Sequence, residues 1–392
     1  MDAHHAVRNI TLYRLYALFN EPLLWGPILT LSLQKLAHMP LSDVYYMESV
    51  VLCICVVLDI PSGALADVIG RKKTLVIGRV FLFASAAFFT IMQTPLDAWI
   101  GNILWAIGYS MQSGADTALL YDSLKAIGRE GEYKRVEGRA IGARLILIAC
   151  CSLVTGVLAG VTLRLPLWIG LPFMLIPLVA ALFFREPART ERYSAQKQLH
   201  VLKQGCLFAI RSVEVRWIIG FAALLATTSK AWFFTYNQYF EFVGLPLAYY
   251  GVIFFCLNFV AWLSSHYAHR IEQGLGERFC IVGMILCLGI PILLMGLLPI
   301  QPFAYMVVVQ NIVRGFMRPF VGDYLHRHVA GGVRATVLSV QSSIANLGAV
   351  LALAMFGFLI SSTGLLHSLV LLGIGVMGLG LLSYIVYAKK IT

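Results

Sequence analysis

The chain of 392 residues is 59% hydrophobic and only 12% charged, with a mean hydropathy of +0.80. Ordinary soluble domains are about a quarter charged, so this composition excludes a soluble core and reads as a polytopic membrane protein. Its net charge of +11 does not mark a nucleic-acid surface, because the basic residues follow a topology. A spanning helix takes about 20 apolar residues. Twelve such runs succeed one another, near residues 10–33, 43–66, 74–94, 96–120, 138–161, 165–184, 216–243, 247–268, 279–299, 302–325, 335–360 and 365–388. With the N-terminus inside, the outer loops hold only Lys35 and Arg164, while the cytoplasmic segments hold most of the other Lys and Arg. The positive-inside rule then puts both termini in the cytoplasm, in a cytoplasmic (inner) membrane. Residues 1–5 lack the basic region and short apolar core of a cleavable leader, so the first helix is expected to stay.

The first run carries Arg14 and Glu21 beside Tyr13, Tyr16 and Asn20, and the second carries Glu48 and Asp59. The second run feeds into Gly63-x-Leu65-Ala66-Asp67-x-x-Gly70-Arg71-Lys72, and a new apolar run starts at Leu75. Gly63 and Gly70 are expected to permit a tight turn between two packed helices. Arg71, Lys72 and Lys73 hold that turn in the cytoplasm. Asp67 is suited to meet the positive N-terminus of a neighbouring helix.

This spacing resembles the signature between the second and third membrane helices of the major facilitator superfamily of transporters. The resemblance implies an all-α membrane protein, twelve transmembrane helices arranged as two six-helix bundles around a central cavity. It puts helices one, four, seven and ten around that cavity. In related transporters an Asp-Arg-Asp relay latches one conformation. Asp67, Arg71 and Asp122 match it here, with Asp116 as a competing partner. Two departures bear on specificity. The fourth-helix arginine of many members, four residues before Gly108, is Leu104, and the fifth helix has no Gly-Pro element. Both weaken a multidrug-exporter reading and leave the direction of transport open.

Further along, the third run carries Arg79 and the fifth Arg144. In the fourth, Asn102, Trp105, Tyr109, Gln112 and Asp116 recur at helical spacing. Residues 185–215 are the one long polar break, separating a bundle at 1–184 from one at 216–392, and 195–210 reads as an amphipathic helix or a flexible linker. In the seventh run Thr227, Lys230, Phe234, Asn237 and Glu241 form a polar-aromatic stripe; Gln310, Arg314 and Arg318 form another in the tenth, ahead of Asp323. Tyr267-Ala268-His269…Gly276-Glu277-Arg278 is a faded echo of Leu65-Ala66-Asp67…Gly70-Arg71-Lys72, which supports an internal duplication.

A charge inside a membrane helix costs roughly 2.5–3.5 kcal/mol on insertion scales, so each needs a partner, a watery cavity or a task. Glu21, Lys230 and Arg314 sit nearest the middle of their runs and are read as lining a substrate path. Phe234, Asn237, Gln310, Arg318, Tyr109 and Trp105 complete the expected substrate-binding set. Glu21, Glu48, Asp59 and Asp116 are the candidate proton carriers, since desolvation raises a carboxylate's pKa toward neutrality; a sodium site stays open. No Gly-x-x-x-x-Gly-Lys-Ser/Thr loop and no Gly-x-Ser-x-Gly elbow occurs. The histidines fall in tails, loops and helix ends, so an embedded enzyme is the least favoured reading. The eight cysteines lack zinc-site spacing; seven fall in apolar runs and read as small hydrophobes, while Cys206 lies in the polar break, where a cytoplasmic thiol stays reduced. No cofactor and no metal are expected. The whole reads as a monomeric secondary active transporter of a small organic molecule, favouring an organic anion or carboxylate and coupled to protons. A polyspecific drug or amphiphile pump and a lipid flippase of the same fold are the alternatives.

Overall fold

The computed structural model describes residues 3–186, 211–329 and 334–391, and among these it contains helices and no strand. The expected amphipathic helix at 195–210 and Cys206 lie outside the described residues. Nine helices among the described residues are long and apolar enough to cross a membrane. The three expected runs missing from that group are the first, fourth and tenth. Each is helical but interrupted. The first splits into α1 (Ala3–Leu18) and α2 (Leu29–Leu36). The fourth splits into α5 (Pro95–Gln112) and α6 (Ala115–Lys125), around Gly114 with φ 77°. The tenth, α13 (Gln301–Ala304) and α14 (Val307–His328), carries Gln310, Asn311, Arg314 and Arg318. The seventh, α10 (Val213–Phe242), qualifies with the lowest mean hydropathy of the nine, 1.3. Of the four helices that the resemblance puts around the cavity, three thus fall outside that group and the seventh has its lowest value.

The remaining helices are α3 (Leu41–Ile69), α4 (Arg71–Ile91), α7 (Tyr133–Val161), α8 (Arg164–Phe173), α9 (Leu175–Phe183), α11 (Leu247–Leu275), α12 (Glu277–Leu297), α15 (Arg334–Thr363) and α16 (Leu365–Ile391). They gather into two compact units. The first holds 3–40, 50–186 and 247–255; the second holds 41–49, 211–246, 256–329 and 334–391.

In the first unit α4 lies closely along α5. The closeness rests on Gly78 and Gly108, since a Cβ on either would stand 3.0 or 2.7 Å from the other's carbonyl oxygen. Asn9, fully buried on α1, donates to Ser123 Oγ (3.0 Å) and to the Arg185 carbonyl (2.8 Å), and accepts from the Arg185 N–H (2.9 Å). One amide therefore ties α1, α6 and the chain after α9 together. Arg164, expected as an outer-loop cation, donates to the carbonyls of Thr90 (3.1 Å) and Met92 (2.7 Å) at the C-terminal end of α4. A cation belongs there, where the carbonyls lack helical partners and the helix dipole is negative.

In the second unit α10 packs on α15, and α12 on α16. Trp217 stacks on Tyr387 at 4.1 Å and donates its indole N–H to the Ser383 carbonyl (3.1 Å). Tyr45, at the start of α3, is fully buried and hydrogen-bonds Thr235 Oγ1 and the Ala231 carbonyl of α10.

Gly70, with φ 105°, joins α3 to α4, and Gly276, with φ 81°, joins α11 to α12. Both hold the left-handed backbone that glycine adopts without strain. The echo seen in the sequence is therefore repeated in the backbone. Gly63 differs from its expectation. It lies inside α3 with open space around it, so the turn rests on Gly70 alone.

A Cβ at Gly315 on α14 would coincide with the Ala261 carbonyl and Ser264 hydroxyl of α11, whereas one at Gly322 meets nothing. Gly315→Val should therefore sharply reduce the yield of monodisperse protein in detergent, and Gly322→Ala should not. Equal size-exclusion profiles for the two variants would show that the α11–α14 packing is not tight.

Candidate functional site

At the α3–α4 junction, the Arg71 guanidinium reaches α6, donating to the Ala118 carbonyl (2.8 Å) and pairing with Asp122. Partial burial pushes the Asp122 carboxyl above the ordinary carboxylate range, and the Arg71 charge beside it opposes that push. A residue the sequence reading passed over completes the junction. Glu186, just after α9, accepts from the backbone N–H groups of Arg71 and Lys72, both at 2.8 Å. It is a carboxylate on the unsatisfied donors and positive dipole of a helix N-terminus. The side chains of Asp67, Arg334 and Thr336 lie outside the described residues.

The second unit builds the same tie with the signs exchanged. Arg327, at the end of α14, pairs with Glu277 at the start of α12 (3.2 Å), with Glu272 (2.8 Å) and with Asp323 (3.0 Å). Asp323 is therefore committed to Arg327.

Deeper in the first unit, Arg79 is only 1% exposed. Its Nε donates to the Tyr16 hydroxyl (3.1 Å) and Nη1 to the Asn20 carbonyl (3.1 Å), and its guanidinium lies 4.5 Å from the Tyr16 ring centroid. Tyr16 in turn donates to Gln112 Oε1 (3.2 Å). Arg144 pairs with Glu21 at 3.3 Å. Polar residues of the first, third and fourth runs thus form one buried network around Arg79, while the Glu21–Arg144 pair is partly exposed, with the Glu21 side chain at 48%. Arg79 and Arg144 both act electrostatically on Asp116, whose carboxylate accepts from the Thr117 N–H (2.7 Å). Of the other expected residues of this unit, Tyr109 and Asp59 are exposed and Trp105 is half-buried. Glu48, in the second unit, is half-buried.

The second unit contains a cleft between α10, α11, α12 and α14. Trp232, Phe233 and Tyr236 wall it, and Gln310, Asn311 and Arg314 supply its polar side. Arg314 donates to Asn258 Oδ1 of α11 at 2.8 Å. Phe233 and Tyr236 stand edge to face, with centroids 5.3 Å apart. Of the expected substrate set, Gln310 and Arg314 come together here. Phe234 instead packs edge-on against Tyr45 (6.1 Å). Asn237 is buried, Lys230 half-buried and Arg318 exposed, and none of the three lines the cleft. The stripe on α10 that meets the cleft is Ser229, Phe233 and Tyr236, one residue out of phase with the expected one. One residue is about 100° around a helix, enough to turn a different face. Aromatic residues at 232, 233, 234 and 236 put a ring on nearly every face of this stretch, so the rings did not choose the phase.

Comparison with known proteins agrees with the helical architecture. The Major Facilitator Superfamily profile matches residues 24–353. A curated relative, the uncharacterized MFS-type transporter YxaM of Bacillus subtilis (strain 168), is 20% identical over 334 residues, 79% of this chain and 78% of that one. Among solved structures, a mutant of the nucleoside transporter NupG superposes with a TM-score of 0.80 at 13% identity, covering 98% of this chain and all of that one. A bacterial homolog of the human lysosomal transporter Spinster, inward-facing and unoccupied, gives 0.76 at 14% identity, covering 98% and 96%. A POT family transporter in complex with a thioalcohol-conjugated peptide gives 0.71 at 14%, covering 99% and 96%. At these identities the structures speak to fold alone.

Glu186→Ala should destabilise the first unit by about 0.5–2 kcal/mol, the usual range for a lost helix N-cap, toward the low end because the carboxylate is solvent-screened. Glu186→Gln should recover part of the loss. A thermal-unfolding midpoint in detergent unchanged by Glu186→Ala would show that the cap is not formed.

Proposed function

The chain belongs to the Major Facilitator Superfamily, and from that premise we propose that it is a secondary active transporter of a small organic anion, of carboxylate type. It is a multi-pass membrane protein of a transporter family, not an enzyme. In the proposed cycle it works as a monomer in the cytoplasmic inner membrane, with both termini in the cytoplasm, by alternating access coupled to protons. Asp67, Arg71 and Asp122 act as the conformational latch.

One observation carries the substrate class. Arg314 is held by Asn258 beside an aromatic cleft within the membrane-spanning part of the chain. A guanidinium there is expensive, and its planar fork matches a carboxylate with two hydrogen bonds. Lys230, on the neighbouring α10, adds a second cation to the same unit.

Coupling is proposed to run through Glu21, with Asp116, Glu48 and Asp59 as the alternatives. Ionised Glu21 holds Arg144. A proton on Glu21 removes that attraction and frees Arg144 to act more strongly on Asp116, so protonation is converted into a rearrangement of charges inside the first unit.

Arg314→Ala should weaken binding of an anionic substrate by about 1.5–3 kcal/mol, the range for a hydrogen bond to a charged group, with Lys230→Ala acting in the same direction. Isothermal titration measures it; unchanged affinity in both variants sinks the anion reading. Glu21→Gln should abolish accumulation against a gradient while retaining substrate exchange. Proteoliposome uptake compared with counterflow separates the two, and undiminished accumulation moves the role to another carboxylate.

A further inference from the structure

The cleft in the second unit holds two buried polar groups that the transport reading does not use. Gln310 is 3% exposed and Trp232 is 3% exposed, and both line the cleft. Among the described residues, Gln310 Oε1 has no hydrogen-bond partner, and neither has the Trp232 indole N–H. The other end of the Gln310 amide reaches only the Met295 sulfur, at 4.0 Å, a weak acceptor. Turning the amide over would therefore still leave one of its ends poorly satisfied. A buried acceptor and a buried donor left open are each unfavourable. Their presence in one cleft calls for a group that can both donate and accept.

A hydroxyl is the smallest such group. The cleft is walled by Phe233 and Tyr236, whose edge-to-face arrangement offers a flat apolar corner, and Arg314 stands on its polar side. Aromatic walls favour a planar ring laid against them.

From these features, and resting on the organic-anion reading above, we infer that the transported anion is a hydroxylated aromatic carboxylate. Its hydroxyl donates to the Gln310 carbonyl and accepts from the Trp232 indole N–H. Its ring lies against Phe233 and Tyr236, and its carboxylate meets Arg314. The amide and indole thus select the hydroxyl, the aromatic corner selects the flat ring, and the guanidinium selects the charge.

Three probes separate these selections: 4-hydroxybenzoate, benzoate, and 4-hydroxycyclohexanecarboxylate, titrated calorimetrically into the full-length protein in nanodiscs. The hydroxylated aromatic acid should bind tightest, with losses of about tenfold or more on removing the hydroxyl or saturating the ring, as sites built to hydrogen-bond a substrate group discriminate strongly. Gln310→Leu should bring 4-hydroxybenzoate and benzoate to equal affinity, and Phe233→Leu should erase the preference for the flat ring. Trp232→Phe repeats the hydroxyl test from the donor side should Gln310→Leu fold poorly. Arg314→Ala should weaken all three probes alike. If Arg314→Ala has that effect but the ring and hydroxyl make no difference, this inference falls while the organic-anion reading stands. If carboxylates bind and Arg314→Ala changes none of them, the anion reading falls with it. Failure of all three probes to bind overturns the inference, as does a Gln310→Leu variant that shifts thermal stability and leaves the hydroxyl preference intact.

Discussion

A polar group inside the bilayer has no water to fall back on, and the way α1, α4, α5 and α6 are tied together follows from that constraint. The clearest case is Arg79. Its guanidinium is taken up by the Tyr16 hydroxyl, the Tyr16 ring and the Asn20 carbonyl. This single side chain on α4 therefore fixes the end of α1, and through Gln112 it fixes α5. Asn9 does the same further toward the start of α1, joining three segments through one amide. Apolar packing against other helices is nondirectional. The buried hydrogen bonds supply the direction, because each is satisfied in one arrangement and left open in a neighbouring one.

The two units solve the same problem at their helix turns with opposite charges. In one, a cation at the start of α4 meets an anion at the end of α6; in the other, an anion at the start of α12 meets a cation at the end of α14. A duplicated backbone tolerates this reversal because a glycine turn sets the geometry and only the product of the charges matters to the attraction. The reversal also leaves different groups on the N-termini of α4 and α12. The first begins with Arg71, whose charge opposes the helix dipole, and Glu186 compensates it. The second begins with Glu277, which is the favourable sign by itself. Glu186 is thus explained by the sign of the residue it caps.

Interruption and polarity mark the helices that the functional readings rely on. α1, α5 with α6, and α14 are each too polar or too broken to count as simple spans. A continuous apolar helix satisfies its own backbone but presents little chemistry. Breaking it at Gly114, or loading it with Gln310 and Arg314, sacrifices membrane stability for groups that address a ligand or a neighbouring helix.

Much of this was written in the chain itself. Runs of apolar residues and the Gly70-Arg71-Lys72 turn determine a helical membrane fold and its family, because hydrophobic length and tight-turn chemistry are local properties. Which face of a helix meets which neighbour is decided elsewhere. Within the aromatic stretch of α10 rings occupy nearly every face, so packing against α3 and α15 turns Phe234 toward Tyr45 and Phe233 toward the cleft. Glu186 has no sequence neighbour to announce it, since its partners at Arg71 and Lys72 are brought near by the return of α9 past α4. Arg79 looked the equal of any other membrane charge until folding supplied Tyr16 and Asn20. Local chemistry determined the elements; the pairing of distant side chains, which depends on rotation and register, was decided only by the tertiary structure.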